Sequence, residues 1–111
     1  MKQLLASVLL FASLPSAAYA DPPNRQTPLG YQQISAFSTA QALTAPSGAT
    51  FAVISVETQA VRYRDDGTAP TASAGMPIAV GAAPFVYTGS LSAIQFIPQT
   101  GSATLDIAYY K

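Results

Sequence analysis

Thr50-Phe51-Ala52-Val53-Ile54-Ser55-Val56-Glu57 is the stretch whose reading decides the fold. Its β-branched and aromatic residues suit a pleated backbone and lower its helix propensity. Successive side chains on a strand point to opposite faces, so Phe51, Val53 and Ser55 project one way and Ala52, Ile54 and Val56 the other. Apolar residues on both sides predict a central strand.

The same period of two recurs on either side of it. Ala103 to Tyr110 sets Leu105, Ile107 and Tyr109 against Thr104, Asp106 and Ala108. Leu91 to Ile97 sets Leu91, Ala93, Gln95 and Ile97 against Ile94 and Phe96. Gln59 to Asp65 places Val61 and Tyr63 opposite Arg62 and Arg64, and Asp66-Gly67 follows as a turn signal because glycine tolerates positive φ. Met76 to Val80 and Pro84 to Thr88 read as two short strands around Gly81. Upstream, Tyr31 to Ser38 alternates in part, with Tyr31, Gln33, Ser35 and Phe37 on one face. Ala42 to Thr44 is a brief run ended by the turn signal Ala45-Pro46-Ser47-Gly48.

Seven or eight short strands with turn signals every ~8–12 residues, and no convincing amphipathic helix, predict an all-β fold: a small antiparallel β-sandwich or jelly roll. The expected core comprises Phe37, Leu43, Phe51, Val53, Ile54, Val56, Val61, Tyr63, Phe85, Leu91, Ile94, Phe96, Leu105 and Ile107. This domain is expected to occupy residues 31–111. Residues 21–30, with three prolines and a glycine, are expected to form an extended leader without regular structure.

Residues 1–20 read as a secretory signal peptide, or else as a retained apolar segment. Lys2 is the positive start, Leu4 to Leu14 the apolar run, and Ala18-Tyr19-Ala20 the small-x-small cleavage site before Asp21. The run is shorter than the roughly 20 apolar residues a membrane span needs.

After residue 20 the chain holds four positive and five negative side chains, hence a net charge of −1. Such a balance, with scattered basic residues, argues against a nucleic-acid partner. The chain has no Cys and no His, which excludes disulfides, thiolate metal sites and the usual catalytic triads. Charged residues make up only 9% of the sequence, so much of the surface must be apolar or weakly polar. That favours oligomerisation as a source of stability.

Four of the nine charges after residue 20 lie within five residues, Arg62-Tyr63-Arg64-Asp65-Asp66. These residues, with Tyr110, are the candidate interface. Adjacent Asp65 and Asp66 project to opposite sides of a strand, which does not suit an acid–base pair. Glu57 and Asp106 could act together only if the fold brought them close. Their types leave no catalytic residue, cofactor site or metal site to nominate. Asp65, Asp66 and the Gly67 carbonyl offer oxygen to calcium, but not in the alternating spacing of a calcium loop; the competing reading is a turn in which Asp caps local amides. Arg62 and Arg64 share a face and admit three readings: a forked contact to a partner's carboxylate, phosphate or sugar, pairing with Asp65 or Asp66 across the turn, or an intersubunit salt bridge. Of Tyr109 and Tyr110, one belongs in the core and the other covers an edge or anchors an interface.

Three stretches carry a family resemblance: Arg62-Tyr63-Arg64-Asp65-Asp66-Gly67-Thr68-Ala69-Pro70-Thr71, Leu91-Ser92-Ala93-Ile94-Gln95-Phe96-Ile97 and Tyr109-Tyr110-Lys111. With the upstream Ala42 to Ala49 element, they resemble small β-sandwich proteins of tailed bacteriophages and their prophage-borne relatives, encoded near virion structural genes. The resemblance covers roughly residues 31–111. It implies a non-enzymatic virion component, such as a capsid decoration protein. The implied partners are the chain itself, as a homo-oligomer such as a trimer, and a capsid or other virion protein. A cleavable signal peptide departs from that pattern, because virions assemble in the cytoplasm. The alternative is an exported β-sandwich module, periplasmic or extracellular, that binds a glycan or another surface ligand.

Overall fold

The computed structural model describes residues 25–111. The signal-peptide expectation and residues 21–24 of the leader therefore lie outside the described residues. Eight strands follow one another: β1 (Pro28–Phe37), β2 (Gln41–Ala42), β3 (Phe51–Glu57), β4 (Val61–Arg64), β5 (Met76–Ile78), β6 (Phe85–Tyr87), β7 (Gln95–Pro98) and β8 (Ala103–Tyr110). Among the described residues there is no helix, and so none long and apolar enough to cross a membrane.

The strands form two four-stranded sheets, ordered β1-β8-β3-β6 and β2-β7-β4-β5, and every neighbouring pair is antiparallel. Within them the first strand pairs with the last, the second with the seventh, the third with the sixth and the fourth with the fifth. That is one long hairpin rolled over on itself, the jelly-roll arrangement. Strand β3 lies between β8 and β6, as its two apolar faces predict. Ile54, Val56, Leu105, Ile107 and Tyr109 of the first sheet meet Val61 and Phe96 of the second in a single buried cluster. The Tyr109 ring is 1% exposed, and its hydroxyl donates to Gln32 Oε1 at 2.5 Å, which removes the cost of an unpaired buried donor.

Four features differ from the sequence expectation. Strand β1 starts at Pro28, so residues 28–30 are sheet rather than leader; the backbones of Thr27 and Lys111 extend the pairing with two further hydrogen bonds of 2.8 and 3.0 Å. Phe37 is buried while Tyr31, Gln33 and Ser35 are exposed. A register shift between Ile34 and Phe37, with Ala36 at φ 48°, inserts an unpaired residue and turns Phe37 inward. Phe51 and Val53 are half-buried on the outer side of β3, where the opposite face (Ala52, Ile54, Val56) supplies the core. Leu91 to Ile94 is a turn, not strand, closed by Ala93 N–H and Ile94 N–H donating to the Ser90 carbonyl at 3.1 and 3.3 Å. The turn's three-residue spacing still delivers both Leu91 and Ile94 to the core.

Candidate functional site

Two regions concentrate chemistry, and the first is the arginine-rich corner. Strand β4 runs between β7 and β5, so its alternation assigns each side chain a side. Tyr63 faces inward, its ring 5.2 Å from that of Phe85 and 6.0 Å from that of Phe96. Arg62 and Arg64 face outward. Arg62 donates from Nε to the Ala72 carbonyl at 3.1 Å and from Nη1 to the Gly75 carbonyl at 2.9 Å. It thus fastens the small loop that Thr71 and Ala74 close as a bridge. Gly75 makes the approach possible: at φ +142°, a Cβ there would come within 3.0 Å of the Tyr63 carbonyl and 3.1 Å of Arg62 Cβ.

Arg64 forks onto Asp66, with Nε donating to Oδ1 at 3.1 Å and Nη2 to Oδ2 at 2.5 Å. Asp66 Oδ1 also accepts the Thr68 amide at 3.3 Å across Gly67, whose φ of +90° is the left-handed turn conformation its dipeptide predicts. The Arg64 guanidinium holds the Asp66 carboxyl below its ordinary range, and Asp66 raises Arg64 in turn. Asp65 points elsewhere: its Oδ2 accepts the Tyr87 hydroxyl at 2.8 Å, tying β4's end to a strand of the other sheet. Burial, reinforced by that carboxylate, pushes the Tyr87 phenol up to about 12. Tyr63, Arg64, Asp65, Asp66, Gly75 and Met76 line an open pocket of about 350 Å³.

Five of the six candidate interface residues therefore meet at this corner, and most of their polar capacity is satisfied within the chain. Of the three arginine readings, pairing across the turn describes Arg64, and Arg62 serves a loop backbone that none of the three names as its partner. Asp66 caps a local amide, as the turn reading expects. Among the described residues, no group of three His, Cys, Asp or Glu side chains stands ready to hold a metal ion.

The sixth candidate, Tyr110, belongs to a second region: the outer face of the β1-β8-β3-β6 sheet. Registers there align residues far apart in sequence into rows. Tyr31, Ala108, Val53 and Val86 sit opposite one another across all four strands, with Tyr31 65% and Val86 56% exposed. Toward the C-terminal end of β8, Tyr110 pairs with Phe51, their rings stacked 5.2 Å apart at 11°. Toward its other end come Gln33, Asp106 and Ser55 in one row and Thr104 and Glu57 in the next.

This sheet does bring Glu57 and Asp106 together, diagonally across β3 and β8. Asp106 Oδ1 accepts the Tyr31 hydroxyl and the Gln33 amide, each at 2.8 Å. The hydrogen bond and the repulsion between the two carboxyls lift Glu57 above its ordinary range. Asp106 falls below its own, through that hydrogen bond first and then through the Tyr31 and Gln33 donors. Tyr31, Gln33, Phe51, Glu57 and Asp106 are the residues that sequence reasoning did not nominate. Thr104, Asp106 and Ala108 were legible as one face of β8, but their neighbours on β1 and β3 follow only from register.

The result is a partly exposed sheet face graded from acidic through apolar to aromatic, and a corner on the other sheet whose ionic groups are occupied internally. No known protein family, no curated protein and no solved structure matches the chain.

Proposed function

We propose that this protein is a non-enzymatic interaction domain, a phage-type virion accessory such as a capsid decoration protein, working through oligomeric contacts. The observation that carries the reading is the row Tyr31–Ala108–Val53–Val86, exposed at its two ends and half-buried between, with the Phe51–Tyr110 stack beside it. An open sheet face of this kind suits docking against another protein better than enclosing a small substrate. The resemblance of Arg62 to Thr71, Leu91 to Ile97 and Tyr109 to Lys111 to phage proteins supports the virion setting. Jelly rolls recur in viral capsid domains and equally in lectins, so the fold admits this reading without requiring it.

The alternative, an exported module for a glycan or surface ligand, would draw support from exposed aromatics beside Arg62 and Arg64. Tyr63, between them, is turned inward, and the exposed aromatic Tyr31 lies on the other sheet. The Phe51 and Tyr110 rings each give one face to the other, which leaves less ring surface for a sugar.

Particles purified by density gradient from cells that carry the gene, analysed by mass spectrometry, test the proposal. Stoichiometric recovery of the chain with the particles supports it. Absence from them, with a mature form beginning at Asp21 in the periplasm or medium, sinks it in favour of the exported module.

A further inference from the structure

We infer that Asp66-Gly67 is a site of spontaneous isoaspartate formation, and that the Arg64 fork on the Asp66 carboxylate holds the rearrangement back in the folded protein. The inference concerns the covalent durability of the chain and does not depend on the virion reading.

The reaction needs an aspartyl carboxyl followed by an unhindered backbone nitrogen. The Gly67 nitrogen attacks Asp66 Cγ, a new C–N bond forms, and the carboxyl OH leaves with the amide proton as water. The five-membered imide then adds water. Opening at Cγ restores aspartate. Opening at the original backbone carbonyl breaks the old peptide bond and leaves the main chain running through Cβ. One water is lost and one regained, so the mass is unchanged and no other reactant is required.

The sequence offers this chemistry at one place. Asp66-Gly67 is the single Asp-Gly or Asn-Gly pair in the chain. Asp21 precedes Pro22, which has no N–H, and Asp106 precedes β-branched Ile107 in the middle of β8. Gly67 has no side chain to shield its nitrogen, and nothing stands within 4 Å of where a Cβ would be. Among the described residues its N–H donates to no backbone or side-chain partner. The Asp66 side chain is 56% exposed, so water reaches it.

Three contacts oppose the attack. Arg64 Nε and Nη2 occupy Oδ1 and Oδ2 at 3.1 and 2.5 Å, and the Thr68 amide donates to Oδ1 at 3.3 Å. The Thr68 contact carries the carboxyl past Gly67 to the residue beyond it, so Cγ must turn back before it can meet the Gly67 nitrogen. The guanidinium also keeps the carboxyl ionised, and a carboxylate has no OH to lose. Because the ion pair is exposed it adds little to folding stability. Its effect is on the rate of a covalent change, which thermal melting does not report. Rearrangement would remove the partner of Arg64 and add a methylene to the main chain between β4 and the loop that Arg62 fastens.

Ageing the purified full-length chain at neutral pH and physiological temperature tests the inference. Isoaspartate at residue 66 is quantified by isoaspartyl methyltransferase labelling and located by electron-transfer fragmentation of the digest. The same chain aged unfolded in guanidinium chloride gives the unrestrained rate. Arg64→Gln should form isoaspartate several-fold faster than the folded wild type. Arg64→Lys, which keeps the charge but loses the fork, should fall between them. Melting temperatures show that both variants are folded; if Arg64→Gln does not fold, Arg64→Lys against wild type decides. Equal rates in wild type and variant would overturn the inference. So would a folded wild type that ages as fast as the unfolded chain, or a folded Arg64→Gln protein that stays free of isoaspartate while the unfolded chain converts.

Discussion

The arginine corner and the outer face of the β1-β8-β3-β6 sheet contrast in how they are built. The corner comes from one continuous run, Arg62 to Asp66, and is conspicuous in the sequence. Its donors and acceptors close on neighbours: Arg64 on Asp66, Arg62 on the Ala72 and Gly75 carbonyls, Asp65 on Tyr87. The face is assembled from four strands, and each strand contributes one or two unremarkable side chains. Yet it is the face that leaves Tyr31 and Val86 more than half exposed. Clustering of charge along a sequence therefore marks where polar groups can satisfy one another cheaply. Availability to a partner depends on which groups are left over after folding.

If the corner is structural, breaking it should unfold the protein rather than free a binding site. Gly75→Ala is the severest test, because the added Cβ meets the Tyr63 carbonyl at 3.0 Å in a backbone region that disfavours side chains. It should cost about 2 kcal/mol or more in chemical denaturation; an unchanged midpoint would mean that the loop is not held against Arg62. Gly67→Val meets no neighbour within 4 Å, so only its φ of +90° opposes it. The expected loss is about 1–2 kcal/mol, and a midpoint equal to wild type would remove the left-handed turn from the account.

Tyr87→Phe deletes the hydroxyl that donates to Asp65 and to the Ser90 carbonyl, and should cost about 1 kcal/mol. The same bond predicts an alkaline transition. The folded phenol holds its proton more tightly than the unfolded one, so its contribution is intact below pH 10 and is lost as pH rises from 10.0 to about 12. Denaturation midpoints measured across that range should fall in the wild type and fall less in Tyr87→Phe; parallel curves would deny the Asp65 contact.

On the face, Asp106→Asn keeps an acceptor oxygen for Tyr31 and Gln33 but removes the charge beside Glu57. Carboxyl NMR should show the Glu57 titration move down toward its ordinary position. A Glu57 titration indifferent to the change would separate the two carboxyls and dissolve the acidic end of the face. The smallest expected effect is Arg64→Ala. Its ion pair with Asp66 is solvent-exposed, so thermal melting should shift little if at all. Oligomeric state should not change either, since Arg64 is already paired within the chain; a clear loss of assembly would return Arg64 to the interface and reverse the comparison.

Much of this was legible in one dimension. The alternation of Thr50 to Glu57 and Ala103 to Tyr110 announced the two strands that lie side by side in the first sheet, and both strand assignments match the structure to within a residue. Gly67's turn follows from its dipeptide, and of Tyr109 and Tyr110, one of which is expected in the core, the structure buries Tyr109. The errors share a cause. Phe37 is core as expected, but it does not share a face with Tyr31, Gln33 and Ser35, because a bulge adds a residue that no alternation can count. Phe51 and Val53 were assigned to the core because hydrophobicity on both sides of a strand does not say which side the second sheet covers. Leu91 and Ile94 are buried from a turn, where three-residue spacing mimics part of a strand pattern.

What the sequence determined alone is therefore local: which segments extend, where glycine permits a turn, and which side chains share a strand face. Those properties depend on backbone sterics and on period two, and both act over a few residues. Only the tertiary structure decided the rest. The 1-8-3-6 and 2-7-4-5 strand orders, the diagonal approach of Glu57 to Asp106, the reach of Arg62 to Gly75 and the row from Tyr31 to Val86 all join residues distant along the chain. Such juxtapositions are set by strand register, and register is chosen by burying the common core of both sheets at once, a condition no single segment contains.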